Sequence, residues 1–266
     1  MLSKQDIIEH FFCNFPQRWY DPDEVDITIV LGTGKCGTVT MSHLLNASPG
    51  MFAYHELSPR LWHLCDRVYR DNCSSSVWDE IYWATRRDVC SVTADNGLSF
   101  GEVNNRATFF LPAFKRLFPK AKFIVMWRDF DSCVTSMSRW GIYTKNDRAI
   151  DGRLELPDYV TDSRQACAWY WCTLYDFVIE HIDDTNFTVI PFDWLKNNRI
   201  GSIQNAFEQI GLVVPQEHEI ESILARKHNS RKTNIDVPKI WHEFDDRAEE
   251  LTSKLRRLEE CETLNG

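Results

Sequence analysis

The sequence predicts an α/β fold, a central and mainly parallel β-sheet flanked by helices, on three observations. The apolar run DITIV leads straight into a glycine-rich turn, LGTGKCGTVT at residues 31–40. A second apolar run, KFIVMW, ends at Arg128. Helix-period segments separate the apolar runs, an alternation that parallel strands joined by crossover helices produce.

Each element has its own signal. The chain is read as a single domain over 1–266, with an amphipathic N-terminal helix and a loop in 1–25, the loop carrying YDPDE. Residues 26–31 form the first strand, TVTMSHLLN the helix after the glycine turn, and MFAYHE a second short strand. Two or three helices are expected over residues 58–88, presenting Trp62, Val68, Trp78 and Tyr82. Phe110, Phe114, Leu117 and Phe118 fall at i, i+4, i+7 and i+8, one helical stripe. The strand PKAKFIVMWRD follows, with Asp131 predicted to cap the helix DSCVTSMSRW. Residues 141–160 are polar with little period and are read as a lid. A long helix over 162–181 turns Ala166, Trp169, Tyr170, Leu174, Phe177 and Val178 inward, and NFTVIPF is a further strand. SIQNAFEQIGL is a helix stopped by Gly211. The last helix, 241–260, repeats Trp241, Phe244, Ala248, Leu251, Leu255 and Leu258 at spacings of three and four. The domain itself is the expected cover for that stripe, and a second copy, making a homodimer, is the alternative.

Composition excludes several classes. With 43% hydrophobic residues in 266, the chain has material for a sizeable core. Its 30 basic against 39 acidic residues give a formal charge of −9, so no nucleic-acid partner is expected and any anion must be held by a local constellation. No apolar run reaches membrane-spanning length and the start lacks a secretion pattern, so no membrane association is expected. Nine cysteines without a C-x-x-C pair read as reduced thiols of a cytoplasmic protein, with neither a zinc site nor a disulfide scaffold.

The glycine turn is where chemistry concentrates. A triphosphatase loop, G-x-x-x-x-G-K-[ST], would need glycine at 29 and a hydroxyl at 36, where the chain has Ile29 and Cys36. Gly32, Gly34 and Gly37 do fit the dinucleotide spacing G-x-G-x-x-G, with Glu56 at about the right distance for a ribose contact, but a lysine inside the turn is foreign to that design. What remains is a nest of backbone N–H groups at a helix N-terminus, with Lys35 as a cation and Thr38 as a hydroxyl. That set suits a phosphate bearing a further anionic group.

GTGKCGTVTMSHLLNASPGMFAYHE resembles the 5′-phosphosulfate loop of the sulfotransferases that use 3′-phosphoadenosine 5′-phosphosulfate (PAPS) and release 3′-phosphoadenosine 5′-phosphate (PAP). FPKAKFIVMWRDFDSCVTSMSRWG resembles the same family's 3′-phosphate segment, in which a serine follows the strand-end arginine by eight residues, as Ser136 follows Arg128. FTVIPFDWL, IQNAFEQIGL and KHNSRKTN are similar to later family segments, so the resemblance spans roughly residues 26–235. It implies the P-loop-like sulfotransferase fold. It also implies transfer of a sulfuryl group from PAPS to a hydroxyl or amine of a small polar acceptor, a sugar or a natural product, without a metal. Gly34, Lys35, Cys36, Gly37, Thr38 and Val39 would hold the 5′ end, and Arg128, Ser136, Arg231 and Lys232 the 3′-phosphate. Lys35 would neutralise charge on the bridging oxygen, and Glu56 would be the base. His55 is the alternative base, with His43 and Glu102 behind it. Cys36, Val39 and Phe130 depart from the family pattern, whose residues there are serine, threonine and commonly proline. Two readings compete: a nucleotide-binding protein of the same fold without catalysis, and a phosphoryl-transfer enzyme with an aberrant loop.

Overall fold

A computed structural model describes residues 16–141, 143, 154–182, 186–226, 239 and 241–263. Five strands form one parallel sheet: β1 (Ile27–Gly32), β2 (Met51–His55), β3 (Ser99–Val103), β4 (Lys122–Trp127) and β5 (Phe187–Pro191), in spatial order β2-β3-β1-β4-β5. The order reverses at β1, which pairs with β3 on one side and β4 on the other. In open parallel sheets the crevice beyond the strand ends at such a reversal is where ligands bind.

The strands are apolar on both faces because helices cover both. Ile27, Ile29, Leu31, Phe123, Val125 and Trp127 face the larger core, while Val30, Ile124 and Met126 face the smaller one, a period of two along each strand. Helices α1 (Thr38–Ala47), α8 (Ile200–Gln209) and α9 (Glu217–Leu224) cover the smaller core. The larger is covered by α2 (Cys65–Arg70), α3 (Val77–Asp95), α4 (Leu111–Leu117), α5 (Phe130–Arg139), α6 (Ser163–His181) and α10 (Asp245–Thr263). The short α7 (Phe192–Lys196) follows β5 directly.

Several expectations are corrected. β3 carries no clear strand signal, because its residues SFGEV include a glycine and a buried glutamate. Gly101 is there for space: a Cβ on it would sit 2.5 Å from the Ala53 Cβ of β2. The single helix expected across Phe110 is a 3-10 turn, Asn105–Phe110, followed by α4, with Pro112 in the first turn of α4. Asp129, not Asp131, caps α5, accepting from Ser132 N at 3.0 Å. Asp131 instead accepts from Trp241 Nε1 at 2.9 Å and pairs with Lys239. The long helix α6 starts on a capping box: Asp162 accepts from Arg164 N and Gln165 Oε1 accepts from Asp162 N.

The stripe Trp241, Phe244, Ala248, Leu251 and Leu255 is buried within the chain, so the domain supplies its cover. Most of the expected lid, 142 and 144–153, lies outside the described residues, as do residues 1–15 of the N-terminal helix. The described part of the lid is anchored: Tyr143, Leu154 and Val160 are buried in the larger core, and Glu155 N donates to Asp66 at 2.7 Å. Among the described residues no helix is long and apolar enough to cross a membrane.

Candidate active site

Four strands deliver their C-terminal ends to one edge: β1 the glycine turn, β2 His55 and Glu56, β3 Asn104 and Asn105, β4 Arg128. The turn is shaped by backbone geometry that its sequence permits. Gly32 has φ +143°, and a Cβ there would lie 2.3 Å from the Met126 carbonyl of β4. Gly37, at φ +99°, is the N-cap of α1, and a Cβ there would lie 2.8 Å from Leu195 Cδ1. Lys35 occupies the left-handed region at φ +69°, costly for a residue with a side chain and found where surrounding contacts enforce it. One such contact is Arg128, whose Nη1 donates to the Lys35 carbonyl at 3.2 Å and whose guanidinium lies 4.6 Å from the Phe192 ring. The two segments that resemble the cofactor site, 93 residues apart, thus meet directly.

At the start of α1 the first intrahelical bond is Met41 N to Gly37 O, so the N–H groups of Thr38, Val39 and Thr40 have no partner within the helix. No side chain caps this end and no acidic residue stands in its first turn, which leaves the positive end of the helix dipole facing the turn.

The side chains of the turn divide into inward and outward sets. Cys36 points into the smaller core, fully buried, with its thiol donating to the Thr33 carbonyl at 2.7 Å. Burial and the nearby Cys133 push that thiol far above its ordinary value, so it stays protonated. Cys36 can therefore offer a ligand only its backbone. Thr33 is also buried, its hydroxyl 3.4 Å from both Tyr175 Oη and Cys133 Sγ. Lys35 points outward, its Nζ 3.0 Å from the centre of the Trp140 ring. Ser136 lies one helical turn before Trp140 on α5 and so shares its side of the helix.

His55 Nε2 is 3.1 Å from Thr38 Oγ1, tying the end of β2 to the first turn of α1. Burial holds His55 below the usual histidine range; the positive charges of Arg60 and Lys35 add to this, against the opposing effect of Glu56. Burial thus favours the uncharged ring of His55, which stands within hydrogen-bond reach of Thr38. Glu56 follows with φ +54°, its N–H donating to Val103 O at 2.9 Å and its carboxylate 4.0 Å from Arg60. The Asn105 amide, oriented to satisfy both neighbours, donates to Glu56 Oε1 at 3.2 Å and accepts from Gly34 N at 3.0 Å.

The loop carrying Glu56 is clamped from beneath. Arg86 and Glu102 form a fully buried ion pair, Arg86 Nε meeting Glu102 Oε2. The remaining guanidinium N–H groups reach Glu102 Oε1 and the carbonyls of Leu57, Pro59 and Thr85, at 3.1 to 3.4 Å. Asn104 Nδ2 adds the Arg60 carbonyl at 3.1 Å. The Glu102 carboxylate is thus engaged as the buried counter-ion of Arg86, and His43 is exposed on α1. Trp169 packs against the larger core. Arg231 and Lys232 lie outside the described residues. Asn104, Asn105, Arg86 and Trp140 carry no motif signal; only recognition of β3 would have drawn attention to the two asparagines at its end.

The sheet thus brings a glycine turn and an uncapped helix N-terminus to its strand-order reversal, beside a lysine, an arginine and a carboxylate, at the place where open parallel sheets bind ligands. The sequence profile of the sulfotransferase family matches residues 28–216, and the chain belongs to that family. The fold is similar to the sulfotransferase domain of the Synechococcus PCC 7002 olefin synthase, with a TM-score of 0.54 and 12% identity over 89% of this chain and 98% of that one. It is also similar to sulfotransferase STF9 from Mycobacterium avium, with a TM-score of 0.51 and 12% identity over 92% and 78% of the two chains. For sulfotransferase STF1 from Mycobacterium tuberculosis H37Rv the TM-score is 0.50 and the identity 15%, over 75% and 70%. No curated protein matches the chain in sequence.

Proposed function

We propose that this protein transfers a sulfuryl group from PAPS to a hydroxyl or amine of a small polar acceptor, a sugar or a natural product. The observation that carries the reading is the Asn105 bridge, which sets the Glu56 carboxylate one amide away from the backbone N–H of Gly34 in the glycine turn. A base and an anion cradle joined by two hydrogen bonds suit in-line displacement at a phosphosulfate anhydride, with the sulfuryl group passing to the acceptor, its proton to the base, and PAP leaving.

The residues present fit the donor. The turn tolerates no Cβ at Gly32 or Gly37, so backbone N–H groups and the uncapped α1 terminus can approach a 5′-phosphosulfate closely. When bound, PAPS supplies the activated sulfuryl group. Lys35 and the N–H groups of 37–39 offset negative charge at its 5′ end, Lys35 leaving the Trp140 ring to do so. Arg128 and Ser136, at the end of β4 and on α5, hold the 3′-phosphate, the guanidinium through its remaining N–H groups. Glu56 takes the acceptor's proton. His55 orients the Thr38 hydroxyl and does not act as the base.

The test is transfer from 35S-labelled PAPS to a panel of alcohols, sugars and amines, with Lys35→Ala, Glu56→Ala, His55→Ala and Arg128→Ala beside the parent chain. Glu56→Ala is expected to abolish turnover while retaining PAP binding, and His55→Ala to retain measurable turnover. Full activity in Glu56→Ala, or PAP binding without turnover on any acceptor, would sink the proposal.

A further inference from the structure

We infer that Asn105 is a positioning residue that fixes the distance between the base and the donor loop, an inference resting on the sulfuryl-transfer reading above. Asn105 is only 8% exposed, and both ends of its amide are used: Nδ2 on Glu56 Oε1 at 3.2 Å and Oδ1 on Gly34 N at 3.0 Å. One planar amide therefore sets where the carboxylate stands relative to the turn. Glu56 needs that restraint. Its backbone is fixed by the Val103 carbonyl and the buried Arg86 clamp, but its side chain retains its own torsions, and Arg60, about half exposed, offers a competing charge 4.0 Å away. Without the amide the carboxylate is drawn toward Arg60 and solvent. Among the described residues, the groups shown against Glu56 include Arg60 from its own loop, His55 from β2 and the uncharged Asn105 amide from beyond β3.

The contact predicts a pattern that a merely structural asparagine would not give. In Asn105→Ala, kcat should fall about 10- to 100-fold, the loss that misplacement of a reacting group by about an ångström produces. The KM for PAPS, and PAP affinity by calorimetry, should stay within about threefold, because the other N–H groups of the turn and Lys35 remain. Asn105→Asp sets a carboxylate against Glu56, and the acid limb of kcat/KM should move up by about one pH unit or more, as paired carboxylates do. Asn105→Ser carries the same readouts as the alanine variant if the latter does not fold.

A kcat for Asn105→Ala within twofold of the parent, or an acid limb unmoved in Asn105→Asp, overturns the inference. So does a loss of PAP affinity equal to the loss of kcat, which would mean that Asn105 acts through the turn alone. A second arm needs no turnover: 13C NMR titration of the Glu56 carboxyl in the ligand-free chain should shift upward in Asn105→Ala, and an unshifted midpoint overturns the contact. A parent chain that transfers no sulfuryl group refutes the proposed function, while the NMR arm still decides whether Asn105 governs Glu56.

Discussion

Replacing Arg86 with alanine should destabilise the chain by about 3–5 kcal/mol, the cost of removing one partner of a buried ion pair. Arg86 and Glu102 are both 0% exposed. After truncation the Glu102 carboxylate keeps the Tyr82 hydroxyl, 3.1 Å away, but has no charge to balance it, and the carbonyls of Leu57, Pro59 and Thr85 lose a donor. Against a total stability of about 5–15 kcal/mol, that is a large fraction, and for a chain of this size it lowers Tm by roughly 6–20 °C. Urea titration followed by fluorescence of the ten tryptophans measures it. The double variant Arg86→Met with Glu102→Leu should recover most of the loss, since replacing both charges by apolar side chains is close to neutral. Its transfer activity should nevertheless stay low, because the carbonyls at 57 and 59 remain without their clamp. A loss below about 1 kcal/mol in Arg86→Ala would show that the pair does not hold this loop, since an uncompensated buried carboxylate cannot be that cheap.

Lys35→Ala should lower kcat by about 10²–10³-fold, the range for removing one donor to developing charge, with a smaller effect on PAP affinity by calorimetry. Trp140→Ala should tighten PAP binding about two- to fivefold, because Lys35 no longer gives up a cation–π contact worth about 0.5–1 kcal/mol to reach the ligand; weaker binding would instead make the ring part of the ligand site. His55 titrates below its unfolded value near 6.5, chiefly through burial, so its contribution to stability is full above that pH and is lost as pH falls toward the folded value. Thermal melts of the parent and His55→Gln at pH 7.5 and 5.5 should show the parent losing more of its Tm on acidification, and equal losses would remove His55 from this role.

Features written in contiguous residues were legible without coordinates. The glycine spacing around Lys35, the strand-end Arg128 with Ser136 eight residues on, and the helical stripes of α6 and α10 are all local patterns, and they sufficed for fold class and family. Tertiary structure decided the rest. β3 was hidden because Gly101 answers to the closeness of Ala53 on the next strand rather than to strand propensity. The cap of α5 passed from Asp131 to Asp129 because Asp131 is engaged by Trp241 and Lys239, more than a hundred residues away. Cys36 turned out to be a core thiol, because the left-handed backbone at Lys35 sends one side chain out and the next one in. The links from Asn105 to Glu56 and Gly34, from Arg86 to the loop beneath Glu56, and from Lys35 to Trp140 depend on strand order. Strands that follow one another in the chain, β1 and β2, are separated in the sheet by β3, and which side chains then meet is settled by packing between distant segments rather than by local spacing.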